Sequence, residues 1–297
     1  MIDCHQHLWP PAFVDTLRSR NSSPYMAADM LFLDGEKPYR IDPELHNVAA
    51  RQTCELNENK ELVLLSLSSP LGIEYLPLKD AQPIIDSWHA CALELPAPFG
   101  LWISASVIEP DLEAVQSLLT DRRVAGLQVP ATAMSHPNDL DKLGDLLQIV
   151  QASGKPVFVH PGPVVTNDRD DPPWWTPVVP YVGQQHAAWY AWHTAGRAQH
   201  PSLKICFAAL AGLAPLHHER LVARGGTFSN IDPYVYYENS SYGTRAVDAM
   251  IRVVGVDAIV LGSDRPYAEP TDPGLGKAFT QALFTKNPRH LLKGVPR

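Results

Sequence analysis

Apolar residues along this chain fall into short runs, separated by stretches that mix apolar and charged positions at helical spacing. The runs are Ile2-Asp3-Cys4-His5-Gln6-His7-Leu8-Trp9, Leu62 to Leu65, Leu101 to Ala105, Val124 to Val129, Val157 to His160, Lys204 to Phe207, Thr227 to Ile231 and Ala258 to Gly262. Near-continuous apolar runs bounded by breakers predict strands buried on both faces. The segments between them predict helices, for example Asp111 to Arg123, Asp139 to Ser153 closed by Gly154, and Pro215 to Arg224 closed by Gly225-Gly226. Eight strands alternating with helices predict an α/β chain in which residues 1–297 form one (β/α)8 barrel of parallel strands. A doubly wound open sheet is disfavoured, because no Gly-x-Gly-x-x-Gly turn follows any strand.

Two connections are too long for simple turns, Ser19 to Pro43 and Pro161 to Gly183. In a barrel the loops that follow strands build the C-terminal face, so these long ones are expected to supply lids and substrate walls. The second contains Asn167-Asp168-Arg169-Asp170-Asp171-Pro172-Pro173-Trp174-Trp175. There Trp174 and Trp175 offer an aromatic substrate-binding surface, the alternative being that they pack on the rim or on a second subunit.

Composition narrows the partners. A formal net charge of -8 argues against nucleic acid or an anionic membrane, both of which favour a basic surface. No apolar stretch approaches the roughly 20 residues of a membrane span, and the N-terminus has no signal-peptide character, so a cytoplasmic protein acting on a small molecule is expected. Cys4, Cys54, Cys91 and Cys206 lack Cys-x-x-Cys spacing and are expected as buried free thiols.

The chemistry concentrates at predicted strand ends. His5 and His7 lie one residue apart on the first strand, so alternation places both imidazoles on one face, with Asp3 expected deeper on that face. Among 12 histidines such a pair arises readily by chance, and its meaning depends on company. His160 closes the fifth strand before a Pro-Gly break, and Asp264 follows the apolar run of the eighth. Together His5, His7, His160 and Asp264 make a three-nitrogen, one-oxygen set suited to one divalent cation, with zinc expected and manganese, iron or cobalt acceptable.

On these residues the chain resembles the amidohydrolase superfamily, in particular the amidohydrolase-related branch that includes sugar lactonases and non-oxidative aromatic-acid decarboxylases. The motifs are His-x-His on the first strand, a histidine ending the fifth, and Gly-Ser-Asp-x-Pro ending the eighth, here Gly262-Ser263-Asp264-Arg265-Pro266. The resemblance spans nearly the whole chain. It implies a metal-dependent barrel in which Asp264 is the metal-associated acid/base, and a homodimer would be in keeping with the family.

The chain departs from that pattern at three places. The family's sixth-strand histidine is replaced by Ala209, which removes a second acid/base; His186 is the expected substitute, ahead of His136 and His193. Arg265 stands where relatives carry an aromatic residue, and would bind a substrate carboxylate or make a structural ion pair. Gln128, at the fourth strand's end, takes the place of a bridging lysine, so a single metal is expected. The leading expectation is a hydrolase in which metal-activated water attacks a lactone, cyclic amide or similar ester-like bond. The alternatives are a decarboxylase of an aromatic or unsaturated acid, and a catalytically impaired barrel that acts as a binding protein.

Overall fold

The computed structural model describes residues 1–164, 170–227 and 232–293. Eight parallel strands form one sheet in the order β1 (Ile2–Gln6), β5 (Leu62–Leu65), β6 (Phe99–Ile103), β7 (Val124–Pro130), β8 (Val157–His160), β9 (Ile205–Phe207), β10 (Val235–Glu238) and β11 (Ile259–Val260). The sheet closes on itself. Cys4 N–H donates to the Leu261 carbonyl at 2.8 Å, Asp264 N–H to the His5 carbonyl at 2.9 Å, and His7 N–H to the Arg265 carbonyl at 2.6 Å. These bonds bring the two ends of the barrel's strand order together, and with them the first and eighth strand tips.

The strands are apolar throughout because both faces are covered. Leu64, Trp102, Phe158, Cys206, Tyr236 and Val260 fill the barrel interior. The residues beside them on the same strands, such as Val63, Leu101, Ile103, Val157, Val159 and Phe207, pack outward under the helices. Local signals fix the helix ends: Asp111 accepts from Ala114 N–H at the start of helix Leu112–Leu118, and Gly154, at φ 72°, ends helix Leu140–Ser153.

The seventh barrel strand is not the one predicted. Thr227 lies outside any strand, residues 228–231 fall outside the described residues, and the strand is Val235–Glu238, paired with β9 and β11. Val235-Tyr236-Tyr237 has the β-branched and aromatic character of a strand, and it starts beyond a turn in which Asp232 accepts from Tyr234 N–H at 2.9 Å. The long Ser19–Pro43 connection carries a small antiparallel sheet of β2 (Tyr25–Ala27), β3 (Met30–Phe32) and β4 (Tyr39–Arg40). The other contributes helices Trp175–Val178 and Pro180–Ala191, while Asn167, Asp168 and Arg169 lie outside the described residues. No described helix is long and apolar enough to cross a membrane.

Candidate metal centre

Strand alternation alone does not aim the first-strand histidines. The register pairs Asp3 with Val63 but Gln6 with Leu65, so β1 carries one extra residue between them, a β-bulge. The bulge separates Asp3 from the histidine face, contrary to the expectation that all three share it. Asp3 instead accepts from Gln6 Nε2 at 2.8 Å and from Ser263 N–H at 3.0 Å, and pairs with Lys60 at 3.2 Å. The Trp102 indole donates to the Cys4 carbonyl at 2.9 Å, satisfying backbone at the irregularity.

His5 and His7 meet His160 and Asp264 at the C-terminal mouth, with one ligand atom from each within 4.8 Å of all the others. His7 Nε2 lies 3.2 Å from both His5 Nε2 and His160 Nε2. Asp264 Oδ1 lies 3.4 Å from His5 Nε2 and 3.2 Å from His7 Nε2. For bonds of about 2.0–2.1 Å around one ion, neighbouring ligands in a tetrahedron stand about 3.3–3.4 Å apart, so these edges fit a divalent metal.

The outer nitrogens fix the tautomers. His5 Nδ1 faces Glu238 Oε2 at 3.1 Å, His7 Nδ1 the Ser66 carbonyl at 2.9 Å, and His160 Nδ1 the Pro161 carbonyl at 2.8 Å. Carbonyl and carboxylate oxygens only accept, so each Nδ1 carries its proton and each Nε2 turns a lone pair inward. Three converging lone pairs beside a carboxylate call for a cation.

Burial pushes His7 down and His160 well down, favouring the neutral, ligating form. For His5 burial also lowers, but Asp264 and Glu238 outweigh it and carry the ring above its ordinary value. Asp264 would be raised by burial, yet His5 and His7 hold it below the usual carboxylate range. Its backbone adopts a left-handed φ of 62°, and its side chain is 28% exposed, the most open of the four. The ring of Tyr267, itself largely exposed, lies 5.5 Å from that of His7 on the same side.

Glu238 was not anticipated. It is fully buried and accepts from His5 Nδ1, from Ala209 N–H at 3.2 Å, and from both the backbone and the hydroxyl of Ser240. Gly262 makes room for it, since a Cβ there would overlap the carboxylate. Misplacing the seventh strand hid this residue; the signal available was a carboxylate ending the Val-Tyr-Tyr run. Ala209 itself opens a turn in which residues 209–213 all have positive φ, from 48° to 60°. Only Gly212 does this without strain, and a Cβ there would meet the Val182 carbonyl of helix Pro180–Ala191.

The remaining candidates lie elsewhere. His186 contacts Tyr190 and His217 and bonds to Gly212, and it is not one of the four clustered groups. His193 stacks on Trp189 and bonds to the Thr227 carbonyl, and His136 caps a short helical turn. Arg265 is buried and bound to Glu55, Glu58 and Glu269 at 3.2, 2.6 and 2.6 Å, so the structural ion pair, not a free carboxylate clamp, is what forms. The reason is local: Asp264 and Arg265 are consecutive, and Asp264 faces the mouth while Arg265 reaches helix Val48–Asn57. Trp174 is 56% exposed, its ring 5.8 Å from that of Trp175. Among the described residues no second ligand cluster exists, and Gln128 donates to the Leu67 carbonyl and Ser69.

No family model and no curated protein sequence matches the chain. Solved structures do match its fold. IDCase from Metarhizium anisopliae, in apo form, superposes with TM-score 0.78 at 17% identity, over 99% of this chain and 97% of that one. 2,6-Dihydroxybenzoate decarboxylase from Rhizobium gives 0.71 at 16% identity, over 98% of each chain. 5-Carboxyvanillate decarboxylase from Novosphingobium aromaticivorans, complexed with manganese and 4-hydroxy-3-methoxy-5-nitrobenzoic acid, gives 0.74 at 14% identity, over 98% of this chain and 95% of that one. The class defined by fold and site together is a metal-binding (β/α)8 barrel, consistent with the amidohydrolase superfamily.

Proposed function

We propose that this protein is a metal-dependent lyase of the amidohydrolase superfamily that removes carbon dioxide from a hydroxylated aromatic or similarly unsaturated carboxylic acid. This departs from the leading sequence expectation of a hydrolase. The observation that carries it is a four-ligand centre with one open carboxylate, Asp264, and alanine where a second acid/base would stand. Hydrolysis asks for two assisted proton transfers, one from water and one to the leaving group; decarboxylation asks for one, to carbon. Fold likeness to decarboxylases of aromatic acids supports the same reading.

His5, His7, His160 and Asp264 would hold the ion, whose Lewis acidity would draw a substrate carboxylate and a neighbouring oxygen against the cluster. Asp264 takes a proton from its open side and passes it to the carbon bearing the carboxyl group. The carbon–carboxyl bond then breaks, its electron pair fills the ring, and carbon dioxide leaves. Glu238, through His5, holds one imidazole in its ligating tautomer.

Enzyme loaded in turn with zinc, manganese and cobalt should release carbon dioxide from a panel of hydroxybenzoates and their nitrogen-ring analogues. In deuterium oxide the product should carry one deuterium at the vacated carbon. Hydrolysis of a lactone or cyclic amide, without carbon dioxide from any acid, would overturn the proposal in favour of the hydrolase. Ligand binding unaffected by metal removal, with no turnover, would favour a binding protein.

A further inference from the structure

Glu74 lies in the loop after β5, fully buried, with Ser69 Oγ donating to its Oε1 at 2.5 Å and Gln128 Nε2 at 3.5 Å. Its other oxygen, Oε2, has no partner, and neither has Oε1 of the buried Gln128. Gln128 Nε2 also donates to the Leu67 carbonyl at 2.7 Å. The same four-residue strand tip, Ser66 to Ser69, holds His7 from its other side: the Ser66 carbonyl and Ser68 Oγ lie 2.9 and 3.3 Å from His7 Nδ1. The Glu74 carbonyl in turn accepts Val107 N–H at 2.9 Å, tying in the loop after β6. One segment is thus gripped by a metal ligand on one side and by a buried carboxyl and amide on the other.

We infer that Glu74, acting through Gln128 and Ser69, is a positioning residue for the metal ligand His7, and that it does this work as a neutral carboxylic acid. A protonated Glu74 matches its surroundings, since the described groups acting on it are the Ser69 hydroxyl, the Gln128 amide and its own loop backbone, none of them a cation. The titratable neighbour that responds to it is Tyr75, pushed up to about 12 chiefly by burial and hydrogen-bonded to Thr132 at 2.7 Å. An ionised Glu74 would be a buried, unpaired charge beside the free oxygen of Gln128, an arrangement that the segment relieves by opening. Burial raises the Glu74 carboxyl to about 7, which places that ionisation within the working range of the protein. The role rests on the metal reading of the His/Asp cluster, and goes beyond it by naming a residue that touches no ligand atom.

The test is cobalt(II) affinity of the full chain between pH 5.5 and 8.5, followed by visible absorption, for the wild type and Glu74→Gln. Near pH 6 the two should bind within about twofold of each other; by pH 8.5 the wild type should bind about 5- to 10-fold more weakly than Glu74→Gln. Ser69→Ala, which removes a donor that favours the ionised form, should move the wild-type inflection to higher pH and serves if Glu74→Gln does not fold. A wild-type to Glu74→Gln ratio constant across the range, or an inflection unmoved in Ser69→Ala, would overturn the role while leaving the metal site standing. Failure of the wild type to bind cobalt at any pH would instead strike the metal reading itself.

Discussion

On the inner face of the first strand, His5 and His7 turn unprotonated nitrogens toward one another and toward His160, whereas on its outer face Asp3 and Gln6 have every polar atom engaged. Outside, Lys60 pairs with Asp3 at 3.2 Å, Glu55 at 2.5 Å and Glu58 at 3.0 Å. Arg265 adds its bonds to Glu55, Glu58 and Glu269, and Arg51 bonds to Gln6 and to the His7 carbonyl. Four carboxylates thus meet three cations between the barrel and its helix. Burial requires each charge there to have a partner, and the fold supplies one. Inside, the same burial surrounds like groups that cannot satisfy each other. Polar atoms that only hold the fold are matched within the chain; those left facing one another are matched by something the chain must bind.

The comparison breaks most visibly at His160. His160→Ala should reduce bound metal, measured by elemental analysis, from about one ion per chain to nearly none and abolish activity, while the outer network and the fold persist. Full activity in that variant would sink the inner-face assignment. Lys60→Met should do the reverse. With Asp3 and Glu55 left buried and unpaired, stability to urea should fall by about 3–5 kcal/mol, while any folded fraction keeps its metal.

Acid sharpens the contrast through His89, whose Nε2 accepts Ser104 N–H at 3.0 Å and which burial pushes down to about 4. A histidine depressed in the native state contributes stability that is present above about 6.5 and lost as pH falls toward 4, about 3 kcal/mol in all. His89→Gln should flatten that part of the urea-midpoint profile; an unchanged profile would place the acid sensitivity elsewhere. Glu238→Gln keeps the shape but removes the charge behind His5, so metal affinity should drop about 10- to 100-fold with little change in stability. The smallest effect is expected at His186, where alanine should leave kcat within about threefold, because its contacts are with His217 and Tyr190. A hundredfold loss would return it to the catalytic set.

Much of this was legible beforehand because it is local or periodic. Buried parallel strands must be apolar on both faces, and seven of the eight could be placed from their runs alone. His160 and Asp264 were visible as polar residues ending such runs. The seventh strand was misplaced because Thr227 to Ile231 and Val235 to Glu238 carry similar strand character a few residues apart, and only pairing between β9 and β11 selects the second. With it went Glu238. Arg265 was ambiguous for a related reason: a guanidinium beside a metal ligand suits either a substrate or an ion pair, and Glu55 and Glu58 lie some 210 residues earlier in the chain.

By itself, then, the sequence determined the barrel, through the alternation of apolar strands with capped helices, and the four donors at its rim, through their positions after apolar runs. The tertiary structure decided where those donors point and what stands behind them. A one-residue bulge sends Asp3 outward and His5 inward, and Glu238 reaches His5 across 233 residues of sequence. Period and propensity act between neighbours in the chain, whereas a tautomer, a bulge and a buried charge pair are settled only when distant segments compete for the same hydrogen bonds.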